Sequence, residues 1–368
     1  MRRRYVSIDI LRGFTMFWLL GAAWFIVGAA DAWQCESLRQ VAQMVDHAAW
    51  NGLHFCDWLL PTLIFTTGLT IPLSFSREKL SNSSFLALVG KILRRMVILF
   101  FLGIIYNAGG NLLTAEELRY ASVLGRIGFS WGLAALLYLF ISKFFGAKMI
   151  AALHAFFWGG VALYTLLSLL PAPDAAGANA FTAEGSLICW VDREYLPGKL
   201  YGGNFDPEGI AGNFGAVLNA LGGILAARCL YLPAEDVKMR RLAGWGIGML
   251  LLGLLLTYAV PLNKALWTSS FLLVTTGTDI LSIMFLWQFF DEGQRNCLFF
   301  EAYGRNTVFL YMLDGIHAIT VISAGLFNIF LVYLADEAVR GEIGLLCNLL
   351  VITQIQIFLY RKQIDIHI

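Results

Sequence analysis

Residues 46 to 58 read DHAAWNGLHFCDW, a stretch that brings His47, His54 and Asp57 together with Trp50 and Asn51. Imidazole beside carboxylate is the usual equipment for moving protons near neutral pH, and the same residue types ligate metals. If the stretch is helical, steps of three and four residues put His47, Trp50, His54 and Asp57 on one face. His47 and Asp57 would then stand roughly 15 Å apart along the axis, too far for a hydrogen bond. This geometry expects Asp57 to orient His54. It expects His47 to find a local partner such as Asn51, or one from NFDPEG, which carries Asp206 and Glu208. The same separation argues against convergence of His47, His54 and Asp57 on a metal, so no metal is expected. A plainer reading makes all of these interfacial polar residues, with Trp50 and Trp58 in an aromatic belt.

The elements that must position this stretch are membrane-spanning. Of the 368 residues 58% are hydrophobic and 14% charged, well short of the charged content of a soluble chain. Apolar runs near the spanning length predict helices near residues 8–31, 53–76, 91–110, 120–142, 148–170, 210–232, 242–260, 267–290, 299–318 and 343–360. The fold expected is therefore an all-α, polytopic helix bundle of about ten transmembrane helices, read as one domain over residues 1–368. An eleventh span is expected if residues 319–334 cross, the alternatives being a re-entrant piece or an interfacial helix. The first apolar run follows MRRR but holds Asp9 and Arg12, which reads as a retained helix rather than a cleaved leader. A net charge of +1 points neither to nucleic acid nor to an acidic polymer.

With the N-terminus in the cytoplasm, the inner side gathers most Lys and Arg residues, among them Arg77, Lys79, Arg94, Arg95 and Arg228. Residues 32–52 and 171–209 are then exported. Cys35 and Cys189 both fall in exported loops, where either a disulfide or two free thiols is allowed. Ionisable groups inside spans are costly and call for partners or a cavity. Asp9 and Arg12 are three apart, as are Asp314 and His317, close enough to pair. Arg126 and Arg305 each follow a glycine, a setting for a ligand or for an ion pair with Asp279 or Asp314.

The segments RRRYVSIDILRGFTMFWLL, HAAWNGLHFCDWLLPTLIFTTGLTIPLS, VLGRIGF, NFDPEGI and VPLNKALWTSSF occur in this order. Together they resemble the membrane domain of the heparan-alpha-glucosaminide N-acetyltransferase family and its bacterial relatives. The resemblance implies a transmembrane acyltransferase of a bacterial inner membrane. It would take acetyl from cytoplasmic acetyl-CoA and deliver it to the amine of a terminal glucosamine across the bilayer. The family's functional histidine matches His47. Where relatives often carry an acidic or amide side chain after the first-span glycine, Gly21 is here followed by Ala22, Ala23 and Trp24.

On that reading the donor's phosphates meet basic residues, with Arg12, Arg77, Lys79, Arg94, Arg95, Arg126 and Arg228 as candidates. His47, Asn51 and Asp57 are the catalytic candidates. His47 is either a general acid and base or an acetyl carrier. Trp50, His54, Asp206, Glu208, Asn263 and Lys264 are the candidate contacts to an amino-sugar or glycan acceptor. Asn51, Asn263 or Lys264 would also serve as donors to a developing oxyanion. Asp206 and Glu208 sit where they would equally cap the helix that follows. A homodimer is compatible with such a bundle. Some bacterial relatives are labelled amino-sugar transporters, which makes a solute transporter the second reading, and a membrane scaffold the third.

Overall fold

The computed structural model describes residues 5–75, 84–110, 112, 118–175, 177–232 and 234–366, and the described residues are built from helices as expected. The predicted sites Arg77 and Lys79 lie outside them. Helix α1 (Val6–Phe17) passes through a π-helical segment, Trp18–Ala22, into α2 (Ala23–Ala32). Then follow α3 (Glu36–Val45), α4 (Phe55–Ser74), α5 (Phe85–Asn107), α6 (Val123–Phe144) and α7 (Met149–Ser168). The chain continues through α8 (Leu187–Tyr195), α9 (Ile210–Leu230), α10 (Glu235–Leu256) and α11 (Ser269–Leu286). It ends with α12 (Leu298–Arg305), α13 (Thr307–Gly315), α14 (Ala318–Leu331) and α15 (Glu337–Arg361).

Among the described residues, 8 helices are long and apolar enough to cross a membrane, or 9 if α13 and α14 form one broken span. Helix α5 has the length, 23 residues, but carries Lys91, Arg94 and Arg95 and is not among these eight. The span expected over 299–318 is not one helix. It divides at Asn306 and again after Gly315, where His317 adopts a left-handed φ of 60° and α13 and α14 meet at 69°. A non-glycine residue in that region cannot continue a right-handed helix, so the apolar run bends and divides there into two pieces.

By contacts the chain falls into two compact units. The first holds residues up to 49, 53–60 and 285 onward. Its centre is the packing of α1 on α12, which a side chain at the crossing would forbid: a Cβ on Gly13 would lie 1.8 Å from the Phe300 carbonyl oxygen. Small residues let backbones of membrane helices approach in this way, and here they fix the first span from which the site is built. Around the crossing Phe14, Phe17, Trp18, Phe55, Phe299, Phe300 and Tyr303 pack edge to face. Such contacts add about 0.5–1.5 kcal/mol per pair beyond the area buried.

The second unit holds residues 50–52 and 61–284. Its α9 is almost wholly buried and packs against α6 and α7. Several polar groups of its interior are paired across helices. Thr62 donates to Asp279 at 2.7 Å, Asn219 donates to Thr276, and Trp267 Nε1 donates to Asn219. Asp279 therefore spends its charge on a hydroxyl in α4, and the ion pair expected for it with Arg126 is not what the helices form.

Candidate functional site

The quoted stretch is not a helix. Helix α3 ends at Val45, α4 starts at Phe55, and the chain between them turns, with Gly52 at a φ of 137° that side-chain-bearing residues rarely adopt. This overturns the helical spacing argument. Folded back by the turn, His47 Nδ1 lies 2.7 Å from Asp57 Oδ1. A carboxylate only accepts, so Nδ1 donates, and in a neutral imidazole the lone pair then sits on Nε2.

Asp57 does this while capping α4. Its Oδ2 accepts from the backbone N–H of Ala48 at 3.0 Å and of His54 at 3.1 Å. It stands at the third position of the helix and reaches back to the N-cap His54, the reciprocal half of a capping box. The carboxylate thus has fixed position before it meets the imidazole. Asp57 is 1% exposed, whereas the His47 side chain is 43% exposed, so a buried anion holds one edge of a ring whose other edge is accessible. Asp46 Oδ1 accepts from His47 N at 2.7 Å and pins the backbone at the same point. The dipeptide Asn51-Gly52 is a turn signal, and an acid three residues after a cap is a helix-start signal. Both were present in the sequence, and together they predict this return.

Beside His47 lies a cavity of about 60 Å³ lined by Trp18, Leu19, Ala23, Val27, Cys56 and Leu59, with Asp46 and His47 at its polar end. The π-helical segment shapes this wall. Gly21 within it has a φ of 136°, which breaks the regular turn between α1 and α2. Insertions of this kind recur at functional sites. His54 points no ring nitrogen at Asp57: only its backbone N–H binds there, and among the described residues its Nδ1 has no hydrogen-bond partner.

The other predicted residues fall into separate groups. In the second unit, Asn263 is fully buried and donates to Trp50 O at 3.0 Å and to Asn51 Oδ1 at 3.1 Å. Asn263 therefore ties two turns together, an observed structural role in place of a free oxyanion donor. Lys264 is half-buried in the same turn. Trp50 Nε1 donates to Phe181 O at 2.7 Å and the ring packs edge to face on Phe205.

Asp206 and Glu208 are occupied by a residue that sequence reasoning missed. Arg119 donates from Nε to Asp206 Oδ2 at 2.8 Å, from Nη2 to Asp206 Oδ1 at 2.6 Å, and also to Glu208. Asp206 additionally accepts from the backbone N–H of Tyr201 and of Glu208. Burial disfavours the charge on Arg119, but the hydrogen bonds and charges of Asp206 and Glu208 outweigh this and hold its pKa above the ordinary value. Four hydrogen bonds thus already fall on the Asp206 carboxylate. Nearby, Asp192 caps α9 by accepting from Ile210 N at 2.7 Å. Burial pushes the Asp192 carboxyl up to about 6.

Each basic candidate has its own setting. Arg12, in the first unit, lies 3.9 Å from Asp9 and donates to Gly304 O. In the second unit Arg94 is exposed, and Arg95 stacks 4.4 Å over the Trp131 ring. Arg126 is buried, donates to Asn213 Oδ1 at 2.8 Å and stacks on Trp267. Asn213 opens α9 and Arg228 closes it, so Arg126 and Arg228 sit roughly 20 Å apart along that helix. One phosphate group cannot use both. Cys35 and Cys189 are free thiols. Among the described residues no group of three metal-ligating side chains converges.

No family model matches the chain. Heparan-alpha-glucosaminide N-acetyltransferase of Mus musculus is 24% identical to it over 316 residues, which cover 72% of this chain and 48% of the relative. The protein of the same name from Homo sapiens is 24% identical over 365 residues, covering 84% of this chain and 52% of the relative. This chain is a distant relative of these acetyltransferases. It spans about half the length of the curated N-acetyltransferases it matches. The match to the human N-acetyltransferase extends over most of the chain, well beyond the histidine-bearing turn.

Proposed function

We propose that this protein is a transmembrane acetyltransferase. In this reading it takes acetyl from cytoplasmic acetyl-CoA and transfers it to the amine of a terminal glucosamine-type sugar on the exported side of a bacterial inner membrane. Its N-terminus is cytoplasmic, and its two contact units work as one acyltransferase domain. The observation that carries the reading is the pairing of His47 with the buried Asp57. The distant relationship to N-acetyltransferases supplies the reaction class.

His47 Nε2 acts as the general base. It removes a proton from the attacking amine as nitrogen bonds to the thioester carbonyl carbon. The carbonyl electron pair moves onto oxygen, then returns and expels the thiolate of coenzyme A, which takes the proton back from His47 Nε2. One carbon–nitrogen bond forms, one carbon–sulfur bond breaks, and the imidazole ends as it began. Asp57 holds the tautomer with Nδ1 protonated and stabilises the transient imidazolium, a role worth about four orders of magnitude where a carboxylate orients a catalytic histidine. Arg12, Arg94, Arg95 and Arg228 remain the donor-side candidates for phosphate, and Arg12 is the one nearest in sequence to the cavity wall.

The test is isotopic acetyl transfer in proteoliposomes, with labelled acetyl-CoA on one face and glucosamine on the other. Wild-type protein transfers label to the sugar. His47→Ala, shown to be folded by its unfolding midpoint, loses at least about 10²-fold, the lower end of general acid–base contributions. Equal transfer by the variant, or movement of unmodified sugar with no acetylation, contradicts the reading.

A further inference from the structure

Helix α5 carries Lys91, Arg94 and Arg95 on an otherwise apolar surface, and its packing on α6 shows how deep they stand. The two helices run antiparallel. A Cβ on Gly103 would meet Ser122, just before α6 begins, and one on Gly132 would meet Met96. At the other end Lys143 Nζ lies 4.3 Å over the Phe85 ring. Between these levels the Arg95 guanidinium sits 4.4 Å over Trp131. Helix α6 is one of the membrane-spanning helices, and its 22 residues make it about 33 Å long. Trp131 is about 12 Å from its first residue and about 20 Å from its last. The apolar core of a bilayer is about 30 Å thick. Measured from Phe85 along α5, Lys91 is then about 9 Å, Arg94 about 14 Å and Arg95 about 15 Å into that core.

Lys91 and Arg94 are nevertheless exposed, and Arg95 is half-buried. Neither α5 nor α6 contains an acidic residue, and among the described residues neither Lys91 nor Arg94 forms an ion pair. Long cationic side chains near a helix end extend to the interface, but Arg94 starts too deep for that. Bare charge against lipid tails is costly, and charged groups inside spans characteristically line water-filled cavities on the routes of ions and substrates. There is open space beside these cations. A Cβ on Gly90, one turn from Arg94 on the same stripe, would meet no atom within 4 Å. Further along that stripe Val97 and Phe101 are exposed and apolar, so the open face of α5 changes from cationic to lipid-compatible within two turns.

We infer that Lys91, Arg94 and Arg95 line a water-filled groove along α5 that binds a phosphate-bearing ligand, which on the acetyltransferase reading is the nucleotide head of the donor. The ligand's identity rests on that reading, whereas the groove rests on the depth of the charges. Two guanidinium forks and an ammonium on two turns of one helix suit a ligand with several phosphate oxygens. A phospholipid keeps its phosphate outside the hydrocarbon core, so a soluble phosphate ligand fits this depth and a lipid headgroup does not. A head bound here already lies inside the bilayer, which leaves the acyl-bearing arm less of the membrane to cross.

The experiment measures binding of radiolabelled coenzyme A to the full chain in proteoliposomes. Lys91→Ala and Arg94→Ala, each with a wild-type unfolding midpoint, weaken binding by about tenfold, the scale of one charge-assisted hydrogen bond. Arg94→Lys weakens it less, because the charge stays and only the fork is lost. Added salt weakens binding by wild type more steeply than by the Lys91→Ala/Arg94→Ala double variant. In a second measurement Gly90→Cys is treated with a charged, membrane-impermeant thiol reagent, and labelling is mapped by mass to separate it from the six native cysteines. The introduced thiol reacts, and saturating coenzyme A blocks the reaction. No labelling, or labelling that coenzyme A leaves unchanged, overturns the groove. Wild-type affinity in the double variant beside an active wild type overturns the phosphate assignment and leaves His47 untouched. A wild-type protein that binds coenzyme A at Gly90 but transfers no acetyl overturns the His47 reading alone, and one that binds no coenzyme A overturns both.

Discussion

Two nearly buried carboxylates, Asp57 and Asp206, lead opposite lives in this molecule. Asp57 gives one oxygen to backbone N–H groups and the other to His47, whose side chain is 43% exposed. Asp206 gives both oxygens to Arg119 and to backbone. The contrast separates positioning from bracing. An acid paired with a titratable, half-exposed ring prepares chemistry, whereas an acid saturated by a guanidinium fixes a loop.

Exchanging the roles of the two sites by mutation gives the largest test of this contrast. His47→Ala lowers transfer by at least about 10²-fold, as above, but costs only about 1–3 kcal/mol of stability, because Asp57 keeps its backbone donors. Arg119→Ala does the reverse. It leaves Asp206 buried without its cation and costs about 3–5 kcal/mol, read as a lowered unfolding midpoint in detergent. A variant at Arg119 that unfolds like wild type would show that the network braces nothing. Arg119→Lys gives a smaller loss, since an ammonium cannot replace the bidentate geometry to Asp206.

The smallest effect is a slope with pH. Burial raises the Asp192 carboxyl to about 6, so the folded protein keeps this proton where an unfolded chain, with a value near 4, has released it. More protons bound in the folded state means that stability falls as pH rises from about 4 to about 6, by at most about 3 kcal/mol. Asp192→Asn removes this contribution, and its unfolding midpoint changes less than that of wild type across the same interval. Parallel curves for the two proteins would refute the assignment.

Most of the helices were legible in the sequence because their apolar runs match the span length and are bounded by charge. The failures have specific causes. Residues 299–318 look continuous to a hydropathy reading, yet the left-handed His317 and the break at Asn306 are backbone events that composition does not record. A helical stripe keeps His47 away from Asp57, whereas Asn51-Gly52 turns the chain and the two side chains meet. Arg119 escaped notice because no motif surrounds it. Its meaning comes from Asp206, 87 residues away.

The central claim is that Asp57 holds His47 ready to move a proton. It is tested most directly by the pH profile of kcat for acetyl transfer in wild type and Asp57→Asn, with folding checked in parallel. Asparagine keeps an acceptor for the helix cap but can present an N–H to His47 and favour the wrong tautomer. The account predicts a folded variant whose kcat falls by about 10³-fold or more with an altered pH profile, while KM for acetyl-CoA changes little. A folded variant with the wild-type kcat and profile would contradict it.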